Sequence, residues 1–240
     1  NLVDEGITAR QVMSVEAIKN CIKLDMAVAA SSNLILHIPA IAHECGYSDI
    51  PWWKYFDEAS NNIPLLSHLA PSGMYTLKDF DLAGGMNAML KNLMPKLDGS
   101  VLTVTGKTLA ENVKDAVVYN DDVIRTLDNP VMTEPGIGVL YGSLAPEGAI
   151  IKIAAVPSHL MSGYKGKARV FDSLDSALDC LRSGGIHEGD ACVIRFLGLK
   201  GRFGTTAFTF QEELKGHPEL YNSCAVITDG RFSGGTSGLS

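Results

Sequence analysis

Paired cysteines are missing from this chain. Its 240 residues include five cysteines, Cys21, Cys45, Cys180, Cys192 and Cys224, with no Cys-x-x-Cys spacing and an odd total. That argues against a disulfide framework, and these residues make no zinc or iron–sulfur ligand set. Scattered single cysteines are most often buried, reduced core residues, so a cytoplasmic compartment is expected. Excess positive charge is missing too. The formal net charge is −7, which argues against nucleic-acid binding. No apolar run approaches the roughly 20 residues that cross a bilayer, so no membrane partner is expected. The opening Asn1–Gly6 has no signal-peptide pattern. A piece of a longer protein, lacking sequence at both ends, is expected. Internal repeats and a Gly-x-x-x-x-Gly-Lys-Ser/Thr phosphate loop are also absent.

What is present is apolar material for a sizeable core, 46% of residues. From Thr8 to about Glu44 the pattern is helical. Thr8 and Ser14 are candidate caps, and Val15, Ile18, Ile22, Met26 and Ala29 form one stripe. Ser31-Ser32-Asn33 breaks the pattern. Asn33 or Ser32 is expected to cap a second, buried helix through Leu34, Leu36, Ile38 and Ile41, with Pro39 inside it. Further helices are expected over 52–62, over 77–98 with Gly84-Gly85 inside or dividing it, and over 109–117 after Thr108. Residues 101–105 read as a strand, and the polar stretch 119–136 as a linker.

After Gly136 the pattern changes. Segments 137–142 and 149–154 read as two strands joined by a turn at Pro146-Glu147-Gly148. Segment 167–171 reads as a strand, 173–183 as a helix, and 190–196 and 224–227 as strands. The fold class is therefore α/β. A helix-rich portion over 1–134 precedes a β-richer portion over 135–240.

The last strand opens into Thr228-Asp229-Gly230-Arg231-Phe232-Ser233-Gly234-Gly235-Thr236-Ser237. Glycines accept positive φ and let backbone amides point inward. A serine among such amides, near a guanidinium, can meet an anionic substrate, although a simple turn serine has the same surroundings. Thr236 and Ser237 either bind a carboxylate or make the turn. Lys200 either meets the carboxylate or is a solvated lysine. Arg231 is expected to brace the loop. His37 and His43 lie six apart, do not share a helix face, and are expected to be partly buried rather than metal ligands. Trp52-Trp53 is expected to serve core or subunit packing.

Gly142–Ala149, Asp190–Arg195 and above all Thr228–Thr236 resemble the dihydroxy-acid dehydratase/phosphogluconate dehydratase family, most closely its dihydroxy-acid branch. Asp25–His37 resembles the family's Gly-Gly-Ser-Thr-Asn stretch, with Ala29-Ala30 in place of the two glycines and Ser32 in place of the threonine. The similarity runs through nearly the whole chain in one order. It implies a hydro-lyase that converts 2,3-dihydroxy acids to 2-keto acids in branched-chain amino-acid synthesis, or a sugar-acid dehydratase of the same family. It implies that residues 1–134 end a cluster-bearing N-terminal domain. Residues 135–240 are then an incomplete β-barrel resembling the swivelling domain of aconitase. It further implies an iron–sulfur cluster acting as Lewis acid, Mg2+, a homodimer, and Ser233 as the base that takes the C2 proton.

Two departures qualify this reading. Aligned without gaps to Ser233, Ala207 occupies the position of the family's Mg2+-binding glutamate, and alanine offers no oxygen. Glu212 or Glu213 substitutes only if the loop is rearranged. The family's cluster cysteines and its other Mg2+ ligands match nothing here, so the chain alone is expected to be inactive. A catalytically lapsed paralogue that binds ligands is the alternative from another functional class.

Overall fold

The computed structural model describes residues 2–198, 207–232 and 238–240. The chain forms two compact units, one ending at Ala154 and the other beginning at Ala155.

Local signals start most helices of the first unit. α1 (Ala9–Val12) begins at Thr8, whose hydroxyl accepts from the Gln11 amide while the Gln11 side chain returns to the Thr8 amide. α2 (Val15–Val28) begins at Ser14, whose hydroxyl accepts from Ala17 at 3.2 Å. Its stripe of Ile18, Ile22 and Met26 is buried. It ends at Ala29, which takes the left-handed conformation (φ +49°) where helices commonly place glycine. α3 (Leu34–Glu44) contains Pro39. Asn33 makes no capping bond with its side chain; its own amide donates to Ser31 Oγ. The expectation of a buried helix is corrected: only Ile38 and Ala42 are buried, and Ile41 is 46% exposed. An all-round apolar helix still meets the core along one narrow line, here the i, i+4 pair.

α4 (Trp52–Asn62) buries Trp52, Phe56 and Ala59 and leaves Trp53 outside. α5 (Leu77–Leu82) and α6 (Gly85–Leu93) are divided at Gly84, where φ is +123°. A β-carbon there would lie 2.3 Å from the Val117 carbonyl, so the chain must be glycine at this crossing. α7 (Leu109–Val113) starts at Thr108 with a reciprocal Thr108–Glu111 cap and stops short of residue 117. Residues 101–105 are not a strand. Thr103 and Thr105 bond locally, to Lys107 and Asn112, and only an isolated bridge joins Leu102 to Thr108. Nor is 119–136 a loose linker. Val123 and Ile124 are buried, and the amides of Arg125, Val131 and Gly136 donate to Leu66, Leu65 and Met26. The antiparallel hairpin β1 (Gly138–Leu140) and β2 (Ala149–Ile151) packs beside α4 within this unit.

The second unit is a parallel sheet in the order β3 (Ala168–Phe171), β4 (Ala191–Ile194), β5 (Ala225–Thr228). Ala168, Ala191 and Ala225 share one level, and Phe171, Ile194 and Thr228 another. Parallel neighbours need crossovers. α8 (Leu174–Arg182) supplies the first, and α9 (Ala207–Leu214) with α10 (Pro218–Tyr221) lies on the second. Phe210, Leu214, Leu181, Cys192, Ile194 and Val226 form its core. The chain is mixed α/β. Among the described residues the strands form open sheets with helices, and no closed barrel.

Candidate active site

Ser233, Thr236, Ser237 and Lys200 lie outside the described residues. The described residues just before and after their segments show what the sheet offers them. β4 leads towards 199–206 and β5 towards 233–237, and these strands are parallel neighbours. Ligands of open α/β sheets gather at the carboxyl ends of the strands. Two carboxylates tie strand ends together across that edge, and a third contact is local to the loop after β5. Asp172, after β3, accepts from Arg195 Nε, after β4, at 2.6 Å. The Asp229 carboxylate, after β5, accepts the amides of Phe196 at 3.1 Å and Leu197 at 3.0 Å. Arg231 Nη1 donates to the Gly230 carbonyl at 2.9 Å, the bracing role expected for it. Phe196 has φ +67°, an uncommon state for a bulky residue, and the Asp229 carboxylate holds its amide there.

Ala207 is fully buried at the start of α9. Glu213 is engaged by Arg182 through two parallel bonds, and Glu212 pairs with Lys215. Both carboxylates that follow the alanine position on α9 are therefore engaged by cations. Among the described residues no group of three or more His, Cys, Asp or Glu side chains could hold a metal ion. His37 and His43 are exposed, against the expectation of partial burial, and His43 Nδ1 meets Ser48 Oγ at 2.9 Å. Cys192 and Cys224 are buried as expected, whereas Cys21 is exposed and Cys45 and Cys180 are intermediate.

The first unit holds polar groups that sequence reading passed over. Asp25 is buried inside the apolar stripe of α2. Its Oδ1 accepts the Ser31 amide at 3.1 Å and its Oδ2 has no partner. Burial pushes its carboxyl up to about 7, against the opposing pull of the Ser31 amide and of Lys152. Burial also pushes the Lys152 ammonium down. His68 Nε2 lies 2.8 Å from the Ala154 carbonyl, which can only accept, so this nitrogen carries the proton. Burial lowers the His68 pKa. His68 also lines an open cleft of about 650 Å³ with Ser72, Tyr75, Asp122, Arg125 and Asn129. The available signal was a lone charge in each apolar run: Asp25 between Leu24 and Met26, Lys152 between Ile151 and Ile153.

Residues 1–112 match the family model described as dihydroxy-acid/6-phosphogluconate dehydratase N-terminal, and residues 122–240 match its C-terminal counterpart. The chain is 46% identical over 240 residues to the dihydroxy-acid dehydratase of Clostridium novyi, covering 99% of this chain and 43% of that protein. It is 43% identical over 241 residues to that of Caldanaerobacter subterraneus subsp. tengcongensis, covering 100% and 43%. With that of Methanococcoides burtonii the identity is 42% over 241 residues, covering 99% and 43%. The chain thus spans 43% of the length of these curated relatives. Two consecutive models of one family, matched in order, and this identity along the whole chain show that it belongs to the dihydroxy-acid/6-phosphogluconate dehydratase family.

Proposed function

We propose that this chain is part of a cytoplasmic, homodimeric hydro-lyase that dehydrates a 2,3-dihydroxy acid to a 2-keto acid in branched-chain amino-acid synthesis. Ser233, as alkoxide, takes the C2 proton. The electron pair forms the C2–C3 double bond as the 3-hydroxyl departs, the proton taken by Ser233 is returned to the departing hydroxide to make water and restore the alkoxide, and the enol tautomerises to the 2-keto acid. Lys200, Thr236 and Ser237 bind the carboxylate. In this reading residues 1–134 belong to the N-terminal domain and residues 135–240 to a swivelling domain like that of aconitase. The hairpin of the latter packs in the compact unit that ends at Ala154.

The observation that carries the reading is the chain-long identity to proteins named dihydroxy-acid dehydratase. The sheet edge supports it. The ends of β4 and β5 are tied together by Asp229, so the two segments bearing the proposed residues start from one edge. A serine hydroxyl is too weak an acid to act unaided, and cationic groups with inward-facing amides are what stabilise an alkoxide. The described residues do not fit an iron–sulfur cluster or Mg2+. The proposal assigns the ligands of both to the rest of the protein, and no step above runs through them.

The test is turnover of dihydroxyisovalerate and of 6-phosphogluconate by the full-length protein and its Ser233→Ala variant. The expected result is turnover of the first substrate, lowered about a thousandfold by the substitution. Turnover of the sugar acid alone would overturn the substrate, no turnover of either would favour a lapsed binding protein, and a near-normal Ser233→Ala rate would remove the base.

A further inference from the structure

The cleft of about 650 Å³ in the first unit is preformed by backbone hydrogen bonds. Segment 68–75 makes one wall and segment 122–131 the other. Leu65 and Leu66, just before the first wall, hold the second: the Val131 amide donates to the Leu65 carbonyl at 2.8 Å and the Arg125 amide to the Leu66 carbonyl at 2.9 Å. The Arg125 carbonyl accepts from Asn92 Nδ2 at 3.0 Å, so the backbone of residue 125 is held on both sides. In the first wall Gly73 lies so close to His68 that a β-carbon there would stand 2.0 Å from the His68 carbonyl oxygen. The volume falls in the range of about 300–1,000 Å³ that small-molecule sites occupy.

Two opposite charges stand together in this cleft, each with capacity to spare. Arg125 Nη2 donates to Asp122 Oδ1 at 3.0 Å, and among the described residues neither side chain makes another hydrogen bond or ion pair. Nε and Nη1 of the guanidinium and Oδ2 of the carboxylate are left for a guest. Both groups can be reached from solvent, the Arg125 side chain being 30% and the Asp122 side chain 66% exposed. The rest of the polar lining adds no charge. It comprises the hydroxyls of Ser72 and Tyr75, the amide of Asn129 and the His68 ring. His68 donates Nε2–H to Ala154, which leaves Nδ1 as an acceptor, and burial helped by the Lys152 charge lowers its pKa, so the ring is neutral at pH 7. Met74 and Val131, 81% and 36% exposed, line the cleft with Pro130 and give it an apolar wall.

We propose that this cleft binds an α-amino acid with an apolar side chain, its carboxylate on the Arg125 guanidinium, its ammonium on the Asp122 carboxylate, and its side chain against Met74, Pro130 and Val131. The lining selects for a zwitterion. A simple anion on Arg125 meets the like charge of Asp122, and a simple amine on Asp122 meets that of Arg125. A neutral polyol has neither penalty, but it leaves the apolar wall in water. On a flat surface an exposed ion pair of this kind contributes little. Here its backbone is fixed before the guest arrives, which lowers the ordering cost of binding. The site does not rest on the proposed dehydratase reading, and none of its residues belongs to the proposed catalytic set.

The experiment is calorimetric titration of the full-length protein at neutral pH with L-leucine and four probes. 4-Methylpentanoate lacks the ammonium, 3-methylbutylamine lacks the carboxylate, glycine lacks the side chain and glycerol lacks all three. L-leucine should bind, with the two singly charged analogues at least tenfold weaker for want of a charge-assisted hydrogen bond. Glycine should bind several-fold more weakly than leucine. Asp122→Asn should lower leucine affinity about tenfold without weakening 4-methylpentanoate, because it removes the partner of the ammonium and the repulsion of the carboxylate together. Arg125→Gln should weaken both ligands, and Arg125→Lys, which keeps the charge and loses the fork, should fall between. Should Arg125→Gln fail to fold, the exposed Asp122 variant and the analogue series decide the matter. No binding of L-leucine up to about 10 mM, equal affinity for leucine and 4-methylpentanoate, preference for glycerol, or unchanged leucine affinity in Asp122→Asn would each overturn the site.

Discussion

Gly136→Ala is the substitution whose effect the structure fixes most closely. The Gly136 amide donates to Met26 at 2.9 Å, and its carbonyl accepts from Ala154 at 3.1 Å. A β-carbon at 136 would stand 2.4 Å from Ala29 Cβ, 2.7 Å from its Cα and 2.8 Å from its N. Carbon atoms prefer about 3.5 Å or more, so the crossing must open by about an ångström. The obstacle is a helix terminus rather than a flexible side-chain tip. Overpacking costs about 1–3 kcal/mol and two weakened hydrogen bonds about 1 kcal/mol each, which gives a loss of about 3–5 kcal/mol. Ala29→Gly behaves differently. It relieves a left-handed alanine by about 1 kcal/mol. It also loses a buried methyl worth about 0.8 kcal/mol and frees the unfolded backbone by about 0.5–1 kcal/mol. The sum is slightly destabilising. In the double variant the Cα and N contacts remain, so rescue is incomplete. Urea unfolding followed by fluorescence reads all three, because Trp52 is 4% exposed in the same core and Trp53, at 51%, changes little. A Gly136→Ala loss under about 1 kcal/mol, or full rescue by Ala29→Gly, would refute the reasoning.

Asp229→Ala should free the two amides it binds. Hydrogen exchange at Phe196 and Leu197 then accelerates about tenfold or more while exchange in the core strands stays as it was; unchanged exchange at both residues would remove the clamp. Thiol alkylation of the native protein at pH 8 should reach Cys21, which is exposed although burial and the Asp25 charge also raise its thiol, before Cys192, whose thiol burial pushes up to about 12, and Cys224, which is buried and also raised. Equal rates at Cys21 and Cys192 would contradict the second core.

The parts of the fold that were legible in sequence are those with a local cause. Thr8, Ser14 and Thr108, the candidate caps, do start their helices, accepting from the amides of Gln11, Ala17 and Glu111. Gly84-Gly85 divides its helix because positive φ is needed there. β3, β4 and β5 follow from short apolar runs. What failed depends on distant partners. The apolar composition of α3 does not tell which face is covered. The β-branched residues of 101–105 favour a strand only if another strand lies alongside, and here their hydroxyls bond within the turn. The polar look of 119–136 conceals Val123 and Ile124, which a loop can bury as well as a helix can. The reading of Ser233 rests on a motif and falls outside the described residues. Asp25 and Lys152 were passed over because an apolar stripe is read by its majority.

Those two residues bear on what the first unit is built for. A buried carboxyl and a buried lysine that make no close contact with one another add little stability, and well-packed apolar residues of similar size often serve as well or better. The stripe of α2 and the run Ala149–Ile153 would pack without either charge. Ala29 makes the same point from the other side. It holds a left-handed backbone that glycine would adopt freely, and its methyl fills the space against Gly136 that a second side chain cannot share. The end of α2 is thus closely packed against Gly136, and the turn that follows it brings the Ser31 amide to Asp25.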